Sequence, residues 1–182
     1  MTTPSVPAVP PPDTKDWTWA MREPCPDCGF DAARVEDEDV ADLTRDYAQV
    51  ICDAARASQG TTRPRPDVWS PNEYACHVRD VCALFLSRLV RMLTEDDPLF
   101  ANWDQDAAAL DGEYWTQRPG LVCGQLTAAA DVIAEQFAGV HGVQWQRPGR
   151  RSNGSAFTVH SFARYFLHDL AHHAWDVTHS AH

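Results

Sequence analysis

The residues with most chemical potential lie close to the C-terminus, in segment 161–177, SFARYFLHDLAHHAWDV. It places His168 and His172 four residues apart. On an α-helix that spacing sets two imidazoles one turn apart on one face. Both can hold one metal ion and leave the rest of its shell to other groups. The chain has eight histidines, so a solvated pair is the competing reading, and a third ligand decides between them. His77 is the candidate. It sits between Cys76 and Val78 in a helix-forming stretch, where an imidazole is not readily buried without a partner. A core histidine bonded to a backbone carbonyl is the alternative there.

A second set of donors is Cys25-Pro26-Asp27-Cys28-Gly29. The CxxC bite lets both sulfurs reach one ion, the glycine eases the turn, and a tetrahedral site needs two further ligands. No second CxxC exists. Cys52, Cys76, Cys82 and Cys123 stand apart in or beside helical stretches, where a small buried hydrophobe is the usual role. Three readings stay open for the pair: a structural turn with free thiols, a second metal site, and a redox or substrate-proximal role. The βαβ context of a thioredoxin-like motif is not evident.

The elements that must position these residues are helices. Val40, Leu43, Tyr47, Val50, Ile51 and Ala54 recur at helical spacing, which predicts a first helix over 39–58. Ser70-Pro71-Asn72-Glu73 is a capping box with proline at the first helical position, opening a second helix that runs to about residue 93. Asp104 to Asp106 can start a short helix, and 121–140 is an alanine-rich third main helix. Segment 141–157 reads as a long polar loop, and Thr158 caps the last helix. Strand signals are few. The expected fold is all-α: a four-helix bundle with one long crossover loop. Residues 1–14 are proline-rich and read as a disordered tail. Residues 15–38 form an N-terminal extension carrying the CxxC turn, and 39–178 form the bundle.

Composition narrows the function. The chain has 182 residues, 44% apolar, with a formal net charge of −11, enough for one domain with a sizeable core. That charge argues against nucleic acid and anionic membrane surfaces as partners. No apolar run approaches about 18 residues and no charged-then-apolar leader is evident, so neither a membrane span nor a signal peptide is expected. The six cysteines then read as reduced thiols of a cytoplasmic protein. Lysine is almost absent and arginine takes its place, a bias that suggests a GC-rich genome.

The pattern Trp69-Ser70-x2-Glu73-x3-His77, followed much later by His168-x3-His172, resembles the DinB/YfiT-like superfamily. The words around these residues, Glu73-Tyr74-Ala75-Cys76-His77-Val78-Arg79-Asp80 and Arg164-Tyr165-Phe166-x-His168-Asp169, resemble a subgroup from high-GC Gram-positive bacteria. The resemblance covers about 39–177. It implies a four-helix bundle with a divalent metal held by one residue of the second helix and two of the last. Carried over position by position, these are His77, His168 and His172, with His173 pointing off that face. The resemblance also implies chemistry: transferases and isomerases that use mycothiol, bacillithiol or glutathione. The expected activity is a thiol S-transferase of mycothiol type acting on an electrophile, and the resemblance implies a homodimer. A metal-dependent hydrolase and a non-catalytic metal- or small-molecule-binding bundle are the alternatives. Zn2+ is the first expectation, and Ni2+, Fe2+ or Mn2+ also suit imidazoles.

Supporting residues follow from helical geometry. Asp80 lies one turn after His77 and Asp176 one turn after His172, so either can accept a proton from a ligand's other ring nitrogen. Tyr165, one turn before His168, can face the metal as a donor or weak acid. Arg164 neighbours the same end. Arg147, Arg150 and Arg151 form a basic cluster from which Arg151 above all is expected to receive an anionic substrate group. Trp103 is expected to border the pocket.

Overall fold

The computed structural model describes residues 7–8, 10–11 and 15–179; most of the proline-rich tail expected over 1–14 lies outside them. Four long helices form the body: α1 (Val40–Arg56), α2 (Pro71–Thr94), α4 (Pro119–Ala138) and α5 (Val159–His179), with a short α3 (Gln105–Asp111) before α4. No helix among the described residues is long and apolar enough to cross a membrane.

The sequence signals act where they are expected to. The Ser70 amide donates to Glu73 Oε2 at 2.8 Å, and the Glu73 amide donates to Ser70 Oγ at 3.3 Å, closing the capping box of α2. Arg63 adds bonds of 3.1 and 2.9 Å from Nε to the same carboxylate, which explains how a glutamate is tolerated inside. Thr158 and Ser161 cap α5 reciprocally, at 3.0 and 3.2 Å. Ile51 and Cys52 of α1, Leu89 of α2, Leu126 and Ile133 of α4, and Phe162 and Phe166 of α5 meet in one core. Phe85 of α2 stacks on Phe162 at 4.7 Å and lies 5.2 Å from Phe166, which fixes the rotation of α5 against α2.

Two expectations change. Segment 141–157 is more than a polar loop. It contains the strands β2 (Pro148–Arg151) and β3 (Ala156–Thr158), which with β1 (Leu99–Phe100) make a small sheet in the order β1-β2-β3. β2 pairs parallel to β1 and antiparallel to β3. Too short to show an alternating pattern, these strands give no periodic signal. Gly149 makes them possible: a Cβ there would lie 2.8 Å from Met92 Cγ, so only glycine lets β2 lie this close to α2.

The second finding concerns 15–38, expected as an N-terminal extension carrying the CxxC turn. This extension lies along α5 and shares the core, with Cys25, Phe30, Ala32 and Val35 buried. Arg164 holds it: Nη1 donates to Asp37 at 2.8 Å and to the His160 carbonyl at 3.1 Å, and Nη2 donates to the Val35 carbonyl. Its side chain is buried. Arg164 is therefore a clamp for the extension, and the expectation of a substrate-binding role is corrected: its donors are spent on the chain itself.

Candidate metal centre

The end of α5 offers two faces, and the structure assigns each a different neighbour. Successive steps of three and four residues link Phe162, Phe166, Asp169, His173 and Asp176, so one stripe begins on Phe85 of α2 and ends opposite His77. A second stripe links Arg164, His168 and His172 and faces the extension. One helix thus carries two overlapping i, i+4 donor pairs about 100° apart in rotation.

The donors accordingly form two groups. His77, Asp169 and His173 bring one ligand atom each within 4.8 Å of one another, and so do Cys25, Cys28, His168 and His172. His77, His168 and His172 are not gathered as one triad. His77 stands with Asp169 and His173, while His168 and His172 stand with the two cysteines. His173, left out on helical geometry, is the residue whose ring meets His77, edge-on at 4.8 Å between centroids. The overlapping pairs in HDLAHH are indistinguishable by spacing alone. The signal that separates them is the Phe162–Phe166 stripe, which fixes the face turned to α2.

In the first group, Asp169 Oδ1 lies 3.6 Å from His77 Nε2 and 3.4 Å from His173 Nε2. His173 Nδ1 lies 2.9 Å from Asp176 Oδ2. A hydrogen placed on Nδ1 by that carboxylate leaves Nε2 with its lone pair toward Asp169 and His77. Asp176 therefore supports His173, and not His172 as expected; it approaches His172 Nε2 only to 4.0 Å. Both ring nitrogens of His77 and Oδ1 of Asp169 are buried without a hydrogen-bond partner. Burying such atoms costs free energy, and a cation between them would offset it. Donors spaced at 3.4 and 3.6 Å also match ligands about 2.1 Å from a common ion. The residues fit a divalent metal.

Charge reinforces that fit. Burial pushes the His77 pKa down, with Asp169 partly opposing. Burial also works against charge on Asp169, but His77 and His173 outweigh it and hold the carboxyl below its ordinary range. The group therefore presents the neutral His77 imidazole beside the Asp169 carboxylate at neutral pH.

The walls are aromatic. Trp103 stacks on His77 at 5.5 Å, and Trp69 lies 5.3 Å away. A cavity of about 300 Å³ opens on Asp169, His173 and Asp176 and also on His168 and His172, and is bordered by Trp17, Trp69, Tyr74 and Tyr165. Tyr165 accepts a 3.1 Å bond from Arg151 Nη1, and burial raises its pKa. Its hydroxyl hydrogen is thereby kept and can donate. Arg151 Nε is buried without a hydrogen-bond partner. The other two arginines of that cluster are committed elsewhere: Arg150 pairs with Asp97 at 2.8 Å, and Arg147 donates to the Met92 and Glu95 carbonyls. Asp80 does not support His77. It accepts from the Tyr114 hydroxyl and from Arg79 Nε at 2.8 Å, while His77 Nδ1 has no hydrogen-bond partner.

In the second group, Cys25 Sγ is 3.7 Å from His172 Nδ1. His168 is buried, and burial followed by the charge of His172 pushes its pKa down to about 4. Burial pushes the Cys28 thiol up to about 11, against the pull of the Phe30 backbone amide.

No curated protein matches the chain. A family model described as the DinB superfamily matches residues 41–177. Among solved structures, YfiT from Bacillus subtilis superposes with a TM-score of 0.71 at 17% identity, over 80% of this chain and 85% of that one. At that identity the likeness establishes the shared four-helix-bundle fold. The family model spans nearly the whole bundle, from α1 to the end of the α5 stripe that carries Asp169 and His173, and the chain belongs to the DinB superfamily.

Proposed function

We propose that this protein is a divalent-metal-dependent enzyme that joins a low-molecular-weight thiol to an electrophile, with His77, Asp169 and His173 holding the ion. The observation that carries this reading is the trio of converging donors, in which the His77 nitrogens and Asp169 Oδ1 are buried without a hydrogen-bond partner while Asp169 and His173 line a cavity of about 300 Å³. Three protein ligands with one open side describe a catalytic rather than a closed site. The description of YfiT as a probable metal-dependent hydrolase supports the metal requirement. Bound here, a divalent ion supplies Lewis acidity and lowers the pKa of a thiol or water at its open position.

The chain's own residues do the rest. Asp176 fixes the tautomer of His173 and so aims Nε2. The aromatic walls of Trp17 and Trp69 exclude water, which strengthens every charge interaction inside. Arg151 receives an anionic group of the thiol or electrophile, in bidentate fashion if it is a carboxylate. Tyr165 donates a hydrogen bond toward the charge that develops on the electrophile as the sulfur–carbon bond forms and the electrophile's π bond breaks, the resulting anion then taking a proton from solvent. The thiol proton leaves to solvent through the cavity mouth. Zn2+ is the first choice of metal; two imidazoles and a carboxylate also suit Fe2+, Mn2+ or Ni2+. Mycothiol is the first choice of thiol, from the resemblance to the high-GC Gram-positive subgroup.

A second reading, hydrolysis, is favoured by the description of YfiT. Thiol dependence separates the two. Metal-loaded protein screened against thiols paired with electrophiles should turn over only when thiol is present. His173→Ala should lower kcat/KM at least about a hundredfold, and Arg151→Ala should raise KM about tenfold with kcat little changed. Turnover without thiol would establish the hydrolase; no turnover of either substrate class would remove the enzymatic reading.

A further inference from the structure

We propose that Cys25, Cys28, His168 and His172 form a second, closed metal site that takes zinc and fastens the N-terminal extension to α5. This inference is independent of the function proposed above: it concerns other side chains, on the other stripe of α5.

The CxxC turn alone lacks two ligands, and the fold supplies them. The four donor atoms lie within 4.8 Å of one another. Tetrahedral zinc with bonds of about 2.0–2.3 Å sets its donors about 3.3–3.8 Å apart. Cys25 Sγ and His172 Nδ1, at 3.7 Å, already have that separation; the remaining atoms need to move inward by no more than about 1 Å. Two thiols and two imidazoles form a set that zinc favours, and they fill all four positions, which is the mark of a structural site.

Three independent features point to a ligand. His168 Nε2 is buried without a hydrogen-bond partner. The chain around the cysteines is a tight knuckle: the Gly29 amide donates to the Cys25 carbonyl at 2.9 Å, and the Cys25 amide donates to the Phe30 carbonyl at 2.8 Å. Gly29 takes φ +73° to close it, a conformation open to glycine without strain. The site is also roofed, with Trp17, Trp19 and Phe30 rings 5.5, 6.2 and 5.6 Å from the His168 ring. On binding, each thiol releases its proton to water as its sulfur takes up the ion, so no oxidant or reductant is required.

Elemental analysis of full-length protein, purified under reducing conditions without chelator, tests this. Wild type should carry zinc at this site in addition to any ion at His77. Cys28→Ser should lose that equivalent, and Cys28→His, which keeps four donors, should retain it. Cobalt-substituted protein should show thiolate-to-cobalt charge transfer and the intense visible bands of tetrahedral cobalt. His77→Ala should preserve those bands and Cys28→Ser should abolish them. If Cys28→Ser does not fold, zinc protection of Cys25 and Cys28 against alkylation in the wild type gives the same test. Wild-type cobalt protein without a thiolate band, cysteines alkylated equally with and without zinc, or a Cys25–Cys28 disulfide found by mass spectrometry would each overturn the proposal.

Discussion

At the scale of single residues, Asp176 does more than its place near the end of a helix suggests. It bonds His173 at 2.9 Å and stands 4.0 Å from His172, so one carboxylate borders both donor groups. Carboxylates behind a ligating histidine fix its tautomer and raise its basicity, and losing one costs about 10–100-fold in metal affinity. Asp176→Asn should therefore weaken metal binding at the His77 group by about that factor in competition titrations, with the fold unchanged by circular dichroism. An unchanged affinity would show that His173 is oriented by packing alone. The sequence singles out His77, His168 and His172 as donors, sets His173 aside and gives no sign of Asp169, so neither the full donor set nor its grouping is legible there. HDLAHH offers His168 with His172 and Asp169 with His173 at the same spacing. Only the packing of Phe162 and Phe166 on Phe85 decides which pair turns to α2.

At the scale of elements, α5 is a hinge pin between the bundle and the extension. Its α2 face carries Asp169 and His173; its other face carries Arg164, His168 and His172. The helices themselves could be read from apolar periodicity and caps, and the box at Ser70–Glu73 placed the start of α2 correctly. The extension could not be read this way, because its contacts are made across long sequence separations: Arg164 reaches Asp37 and Val35, and His172 reaches Cys25. Arg164→Ala removes three hydrogen bonds and leaves the Val35 carbonyl and Asp37 without that partner. It should lower stability by about 2–4 kcal/mol, seen as a shifted urea midpoint. It should also expose 15–38 to limited proteolysis ahead of the bundle. Cleavage no faster than in wild type would show that its other contacts hold the extension without the clamp.

At the scale of the whole molecule, two donor groups of different character stand side by side on one helix. One has nitrogen and oxygen donors; the other is half sulfur, and histidines of both line the same cavity. The bundle core beneath them is set by ordinary apolar packing, and its thiols belong to that core. Cys52 and Cys123 each donate to the other's backbone carbonyl, at 3.7 and 3.6 Å. Burial, then Cys123, pushes the Cys52 thiol from its ordinary 9.0 up to about 12. The folded state keeps a proton that the unfolded chain gives up. The stability this represents is complete below pH 9.0 and is lost as pH rises toward about 12. The loss should run at about 1.4 kcal/mol per pH unit for such a thiol, and Cys52→Ala should flatten the alkaline fall in urea stability by that slope. An identical fall in the variant would place its cause in other groups.

The most direct test of the central claim, that His77 shares its ion with Asp169 and His173, is metal analysis in a Cys28→Ser background, where only the open site is counted. That protein should hold about one divalent ion per chain. Adding His173→Ala should remove it, whereas adding His168→Ala should leave it in place. Retention without His173, or loss with His168→Ala, would contradict the assignment and return the ion to the face of α5 that carries His168 and His172.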